Sequence, residues 1–220
     1  MKKLYEGIHK FQESYFKKKE NFFHRLSKRQ VPQTLFITCS DSRVDPNLVT
    51  QSNPGDIFIV RNVGNIVPPY EAIKDKNSVA AAIEFAVIGL KVKDIIVCGH
   101  SNCGAMQALY KEDKDFNSMP HLKDWLKIAM PVKDIVKTFY RKQHGEDCIR
   151  TTEKENILMQ LGNIQTYPFV KQLLKNGRLY LHGWYYDIAT GCIYTYNPKI
   201  DAFGKIGSLA SRETNKESRK

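Results

Sequence analysis

One run of residues sets the architecture of the chain: Asp94-Ile95-Ile96-Val97-Cys98-Gly99-His100-Ser101-Asn102-Cys103-Gly104. Its apolar part, residues 95–98, is too short for a helix and rich in β-branched side chains, which predicts a buried strand in a parallel sheet. The loop that follows places His100 and Cys103 at the carboxyl end of this strand, where open α/β sheets bind ligands. An imidazole and a thiolate three positions apart can both reach one metal ion, and zinc is the commonest such ion.

A second run has the same design: Thr34-Leu35-Phe36-Ile37-Thr38-Cys39-Ser40-Asp41-Ser42-Arg43. It is again an apolar, β-prone segment that ends in a cysteine and continues into a small polar turn. If the two strands are parallel and end at the same edge of the sheet, Cys39 lies beside His100 and Cys103. These three ligands leave a fourth position for Asp41 or for water. Three protein ligands and one exchangeable position are typical of catalytic zinc, whereas structural zinc has four protein ligands.

Together, the motifs 39–43 and 100–104 resemble the signature pair of the β-class carbonic anhydrases. The resemblance extends through residues 54–65, 78–90 and 181–187, and it covers about residues 30 to 196. It implies an α/β fold in which a mostly parallel central sheet is flanked by helices. It also implies that N-terminal helices pack on a partner subunit, in a homodimer or a dimer of dimers.

The resemblance further implies a reaction, the reversible hydration of carbon dioxide to bicarbonate and a proton. One Zn²⁺ per chain, held by Cys39, His100 and Cys103, would carry the attacking hydroxide. Asp41 and Arg43 are the expected catalytic pair. If Asp41 ligates the metal, the site is closed; if Asp41 pairs with Arg43, the fourth position is open. This exchange would make activity depend on pH.

Further residues match the family's substrate pocket, which lies at a subunit interface: Gln30, Phe58, Val63, Phe85 and Gly104. Phe58 and Val63 could equally be ordinary core residues. Phe85 stands where the family often has tyrosine. Phe36 stands where one branch of the family has a tryptophan that contributes to a regulatory bicarbonate site.

Composition bounds the class of protein. The chain has 220 residues, of which 42% are hydrophobic and 26% charged, as expected for one globular domain. We predict that this domain spans residues 1–210, with a helical arm over about 1–28 and a polar tail over 211–220. No apolar run approaches the roughly 18 residues of a membrane span, and the N-terminus lacks the apolar core of a signal peptide. The five cysteines, an odd number, favour a reducing compartment, and we expect a cytoplasmic protein.

The net charge of +11 raises nucleic-acid binding as the main non-enzymatic alternative, in the form of a zinc-stabilised module. Such a module would need four closing ligands and a concentrated basic face. The lysines are scattered instead, and the dense spots at 17–19 and 216–220 are not interleaved with aromatic residues. We therefore predict no nucleic-acid partner and no membrane partner. A relative that hydrolyses carbon disulfide or carbonyl sulfide on the same scaffold remains an alternative.

Local patterns predict several elements outside the two motifs. The spacing of the apolar residues in the arm predicts an amphipathic helix, in one or two pieces. Asp45 and Ser78 are expected to cap helices, and Thr152 with Glu155 forms a capping box that would begin another. Residues 179–186 and 192–196 are expected to form a hairpin.

Overall fold

A computed structural model describes residues 1–73 and 76–207. Its centre is a six-stranded sheet with the strand order β2-β1-β3-β4-β5-β6. The strands are β1 Thr34–Cys39, β2 Ile57–Asn62, β3 Asp94–His100, β4 Tyr180–Asp187, β5 Cys192–Asn197 and β6 Ala202–Lys205. The helices are α1 Lys2–Lys10, α2 Glu20–Leu26, α3 Pro46–Thr50, α4 Ser78–Glu84, α5 Gly104–Ala108, α6 Pro120–Leu126, α7 Met130–Phe139, α8 Gly145–Gln165 and α9 Pro168–Lys175. Two π-helical segments, Phe11–Phe16 and Phe85–Gly89, extend α1 and α4.

The sheet is mostly parallel, as predicted. β1 pairs in parallel with β2 and with β3, and β3 pairs in parallel with β4. Strand β5 pairs in antiparallel fashion with β4 on one side and with β6 on the other. The register aligns Thr38 with Cys98 on the neighbouring strand, so β1 and β3 end at the same edge. This alignment is what brings the two motifs together.

The predicted boundaries hold in part. Asp45 caps α3 by accepting hydrogen bonds from the N–H groups of Asn47 and Leu48. The cap predicted at Ser78 is wrong: Asn77, one residue earlier, has the extended backbone of a cap, and its side chain accepts from Val79 and Ala80.

The predicted hairpin is confirmed as β4 and β5. The structure adds β6, in a segment that its polar composition did not mark as a strand. The predicted tail, residues 211–220, lies outside the described residues.

The capping box predicted at Thr152 is also wrong, because α8 begins at Gly145 and Thr152 lies inside it. Thr152 is fully buried, and its hydroxyl donates to the carbonyl oxygen of Cys148 one turn earlier. Glu155 accepts a hydrogen bond from Tyr140 rather than from the backbone of a helix start. A threonine buried inside the helix, followed three positions later by a glutamate, thus gave the pattern of a helix start.

Helix α8 packs directly on β3 and β4 at two glycines. A Cβ atom at Gly99 would lie 2.9 Å from Cγ1 and Cδ1 of Ile157. A Cβ atom at Gly183 would lie 3.0 Å from both Ile157 Cγ2 and Leu161 Cδ1. The absence of side chains at these two positions lets α8 approach the sheet just below the edge where the motifs meet.

This close packing predicts that Gly99→Ala destabilises the fold. The added methyl group would push Ile157 and α8 away from the sheet, and overpacking of this kind costs about 1–3 kcal/mol. Urea denaturation of the metal-loaded protein would measure the change in unfolding free energy. Gly162→Ala is the control, because Gly162 lies on the exposed side of α8 with nothing within 4 Å of the added atom. It should be neutral or stabilising, by up to about 1 kcal/mol. Equal effects of the two changes would contradict the packing argument.

The N-terminal arm forms two helices, as one of the predicted alternatives had it, and its helices bury none of their residues. Apolar side chains on α1 are open to solvent, and Leu4 and Tyr5 are 63% and 64% exposed. A cluster of rings joins the π-helical segment to α2 through contacts such as Phe11 with Phe23, whose centroids are 5.7 Å apart. Within the described ranges 1–73 and 76–207, no helix is long and apolar enough to cross a membrane.

Candidate metal centre

Three predicted ligands meet at the carboxyl edge of the sheet. Cys39 is the last residue of β1, His100 is the last residue of β3, and Cys103 precedes α5. Their ligand atoms all lie within 4.8 Å of one another. All three side chains are buried, with exposed fractions of 6%, 0% and 1%. The two strand ends and the short loop after β3 therefore build one pocket for a metal ion.

The hydrogen bonding of His100 is that expected of a histidine that binds a metal ion. Its Nδ1 lies 3.0 Å from the carbonyl oxygen of Ser101, which assigns the proton to Nδ1 and leaves a lone pair on Nε2. Nε2 is buried and has no hydrogen-bond partner among the described residues. A buried polar atom of this kind is rare and calls for an explanation. A metal ion between Nε2 and the two sulfur atoms would satisfy it, since metal-bound histidines commonly donate their other ring N–H to a carbonyl oxygen.

The two cysteines cannot both ionise without a cation. A hydrogen bond from the Cys103 thiol, assisted by His100 and then by the N–H of Gly64, lowers the pKa of Cys39 to about 4 despite its burial. The same hydrogen bond, together with burial, raises the pKa of Cys103. One sulfur is therefore a thiolate and the other a thiol as long as only protein groups are present. A divalent ion removes the conflict because it deprotonates a coordinating thiol.

Beside this centre, Arg43 holds Asp41 through both carboxylate oxygens. Arg43 Nε donates to Oδ1 at 2.9 Å and Nη2 donates to Oδ2 at 2.7 Å. Nη2 also donates to the carbonyl oxygen of Asn102, which ties the pair to the loop after β3. The guanidinium holds the pKa of Asp41 well below its usual range, so the carboxylate is charged. Asp41 Oδ2 lies 3.8 Å from Nε2 of His100. Of the two arrangements that the sequence predicts for Asp41, the structure has the one in which it pairs with Arg43.

Backbone groups near the ligands are fixed by side chains from other elements. Arg61, at the end of β2, donates to the carbonyl oxygens of Cys39 and Asp41 at 3.1 and 2.7 Å. Glu153 of α8 accepts from the N–H of Cys103 at 2.8 Å and from the hydroxyl of Tyr185 at 2.9 Å. Burial raises the pKa of Glu153. Sequence reasoning missed the role of Glu153, although a polar series inside an otherwise buried helix was a usable signal.

The predicted pocket residues lie in several places. Phe58 and Phe85 contact each other, with ring centroids 5.8 Å apart, rather than lying beside the two cysteines. Val63 is 42% exposed and follows the end of β2. Gln30 is exposed in the segment before β1, and Gly104 is the first residue of α5. Gly104 and Val63 are thus the two that adjoin the metal centre along the chain or through the neighbouring strand.

A Cys₂His centre at the carboxyl edge of a parallel sheet defines a metal-dependent α/β protein. Residues 34–193 match the model of the carbonic anhydrase family. A carbonic anhydrase from Synechocystis is 46% identical over 203 residues, which are 92% of this chain and 73% of that protein. The solved structure of the β-carbonic anhydrase CcaA superposes with a TM-score of 0.90 at 46% identity, over 93% of this chain and 91% of that one.

A tetrameric β-carbonic anhydrase from Sordaria macrospora gives a TM-score of 0.70 at 26% identity, over 94% and 93% of the two chains. These similarities extend over nearly the whole described fold, including both motifs. The chain belongs to the β-carbonic anhydrase family, which is metal-dependent and acts on carbon dioxide.

Proposed function

We propose that the protein is a zinc-dependent carbonic anhydrase that interconverts carbon dioxide and bicarbonate, with one Zn²⁺ per chain on Cys39, His100 and Cys103. The observation that carries this proposal is the buried Nε2 of His100, which lacks a hydrogen-bond partner among the described residues and lies with two cysteine sulfurs. Sulfur and imidazole nitrogen are the ligands that zinc prefers. The family membership supplies the reaction.

When bound, zinc lowers the pKa of a water molecule to about 7 and so supplies a nucleophile at neutral pH. The protein's own groups prepare the surroundings. Arg43 keeps the Asp41 carboxylate charged and donates a hydrogen bond to each of its oxygens. In this position Asp41 would accept a hydrogen bond from a water molecule held at the metal centre and so fix the orientation of that water.

We also propose that Asp41 and Arg43 act as a gate. The gate would close if Asp41 left Arg43 and became a fourth ligand beside Cys39, His100 and Cys103, because water would then be excluded and the enzyme would be inactive. The short loops on which the two residues lie support such an exchange, because Asp41 follows β1 by only two residues. The open arrangement is the one in which the bidentate ion pair forms.

The substrate pocket is proposed to include Gln30, Phe58, Val63, Phe85 and Gly104. Small apolar walls suit carbon dioxide, and the contact between Phe58 and Phe85 provides such a wall at one edge of the sheet. Because this wall is not beside the cysteines of its own chain, the proposal places it near the metal centre of a partner subunit.

We propose a homodimer or a dimer of dimers in which the N-terminal arm, about residues 1–28, packs on the neighbouring subunit. The arm buries none of the residues of its helices within one chain, although it carries an apolar stripe. Sedimentation of the metal-loaded protein should give a dimer or a tetramer, and Leu4→Lys together with Ile8→Lys should shift it toward monomers. Lys2→Glu is a control on the same helix. A monomeric parent would contradict the proposal.

The remaining assignments follow from the same features. All five cysteines are free, which supports a reducing compartment such as the cytoplasm. We propose one domain over residues 1–210, because the sheet is continuous from β2 to β6. The three-ligand centre supports an enzyme over a zinc-stabilised nucleic-acid module, which would use four ligands.

Stopped-flow hydration of carbon dioxide tests the proposed function, with zinc measured on the same sample. The assay would run from about pH 6.5 to about pH 9, across the pKa of roughly 7 that zinc gives to bound water. We expect near one zinc per chain and activity that rises with pH. Full zinc without hydration at any pH would favour a hydrolase of carbon disulfide or carbonyl sulfide. A chain that binds no zinc would refute the proposal.

A further inference from the structure

The loop after β2 sends one backbone N–H to a ligand sulfur. Gly64 N–H donates to Sγ of Cys39 at 3.4 Å. Gly64 has φ +83°, and a Cβ atom there would lie 3.0 Å from Cβ of Ala105 and 3.2 Å from Cε of Met106. Position 64 therefore requires glycine for two reasons, its positive φ angle and its close contact with α5. Hydrogen bonds to a coordinating sulfur change how strongly it donates to its metal.

The peptide group that carries this N–H is held from its other side. Its carbonyl belongs to Val63 and accepts a hydrogen bond from the indole N–H of Trp125 at 2.8 Å. Trp125 lies on α6, and it is 62 positions away from Val63 in the sequence. A donor on the carbonyl fixes the plane of the peptide and polarises its N–H, so the bond to sulfur becomes stronger.

The following peptide group is held by α8. Asn156 Nδ2 donates to the carbonyl oxygen of Gly64 at 2.9 Å, and Gln160 Nε2 donates to Oδ1 of Asn156 at 2.8 Å. Asn156 is only 1% exposed. Burying a carboxamide in the core is unfavourable unless it is hydrogen-bonded. Both polar atoms of the Asn156 side chain are hydrogen-bonded here, and its Nδ2 bonds to Gly64, the residue whose N–H faces the sulfur of Cys39.

We propose that Trp125 and Asn156 are positioning residues that hold the N–H of Gly64 on the sulfur of Cys39 and thereby set how strongly this thiolate donates to the metal. The inference rests on the proposed metal centre. It differs from a purely structural role of the same two residues, because it requires a change at the sulfur itself when either hydrogen bond is removed.

Trp125→Phe tests this in the full-length protein loaded with Co²⁺, whose sulfur-to-metal charge-transfer band reports on the thiolates. The change keeps an aromatic ring and removes the N–H donor. A weaker bond from Gly64 raises the energy of the sulfur lone pairs, so we expect the band to move to longer wavelength. The loop beside Cys39 would also be held less firmly, and this loss of positioning should outweigh the stronger donation of the sulfur, so competition with a chelator should show metal binding about tenfold weaker. The matched control is Trp184→Phe, at the other tryptophan, whose ring packs against Phe36. It should leave both readouts unchanged.

Asn156→Leu provides a second, independent variant, with Asn163→Leu as its control. Asn163 lies on the same face of α8, but it donates to the carbonyl oxygen of Val67, which is not adjacent to Gly64. It also donates to Oε1 of Gln160 at 3.1 Å, yet without it Gln160 keeps the hydrogen bond from the N–H of Val67 and its own bond to Asn156. Both changes should reduce stability, and only Asn156→Leu should shift the cobalt band. An unshifted band in folded Trp125→Phe, or equal shifts in variants and controls, would overturn the inference while the metal centre stands. A parent chain that binds no cobalt or zinc would overturn the proposed function and this inference with it.

Discussion

Cys39→Ser should abolish both metal binding and the hydration of carbon dioxide. A serine hydroxyl is not ionised near neutral pH, so the centre would keep one thiolate and one imidazole for the metal. The loss of affinity should exceed the roughly 100-fold that marks the upper range for residues one shell further out. Stopped-flow assays and metal analysis on the same sample would measure both losses. Residual activity should equal that of the chelator-treated parent.

Cys98→Ser is the matched control for this change. Cys98 is also a buried cysteine, it lies on β3, and burial raises the pKa of its thiol to about 12. It is not one of the three ligands, so the variant should be less stable but should retain its metal and its turnover. If Cys39→Ser kept a full complement of zinc, or if both variants lost the metal equally, Cys39 would not be a ligand.

The meeting of Cys39, His100 and Cys103 could be predicted because each lies in a short local pattern. A run of β-branched residues that ends in a cysteine or histidine specifies a strand and its carboxyl end without reference to the rest of the chain. Only the register between β1 and β3 had to be assumed, and their parallel pairing confirms it. Asp41 and Arg43 are two positions apart, so their ion pair is equally local.

The hydrogen bonds that hold the loop beside the metal centre could not be predicted in the same way. The contacts of Trp125 with Val63 and of Asn156 with Gly64 join residues 62 and 92 positions apart. They exist because the tertiary fold brings α6 and α8 within hydrogen-bond distance of the loop after β2, which has no regular structure of its own. No local sequence pattern predicts which carbonyl oxygen will accept a hydrogen bond from the indole N–H of a tryptophan. The glycine at position 64 is visible in the sequence, but its positive φ is not.

The two errors at helix starts have different causes. Ser78 is exposed and is the first residue of α4, so that prediction missed the cap, Asn77, by one position. Thr152 was assigned to a helix start because a threonine followed three positions later by a glutamate is typical of a capping box. In the fold, α8 lies against the sheet, and burial gives its polar residues partners in other elements, as with Glu153 and Cys103. Polarity therefore marked a contact between elements rather than an end. The pocket role of Phe58 and Phe85 stays a prediction, since it depends on a second subunit.

Asp41→Ala should leave zinc in place but remove most of the hydration activity. The three remaining ligands are untouched, so metal content should match the parent. The water that attacks carbon dioxide would lose its acceptor, and groups that handle protons in this way contribute about 10²–10⁴-fold to rate. Because Arg43 holds the pKa of Asp41 well below its usual range, the parent carboxylate stays ionised at neutral and mildly acidic pH. The deficit should therefore persist across the whole assay range, as stopped-flow profiles of both proteins would show.

Asp45→Ala separates this effect from the simple loss of a nearby carboxylate. Asp45 is exposed and caps α3, so its removal should cost about 1 kcal/mol of stability and leave turnover unchanged. Unchanged turnover in Asp41→Ala would refute the proposed role of the ion pair, because the centre would then work without an acceptor. A loss of zinc together with turnover would instead make Asp41 a metal ligand. Loss of turnover alone is the outcome expected from the bidentate pairing with Arg43, since that pairing engages both carboxylate oxygens in hydrogen bonds.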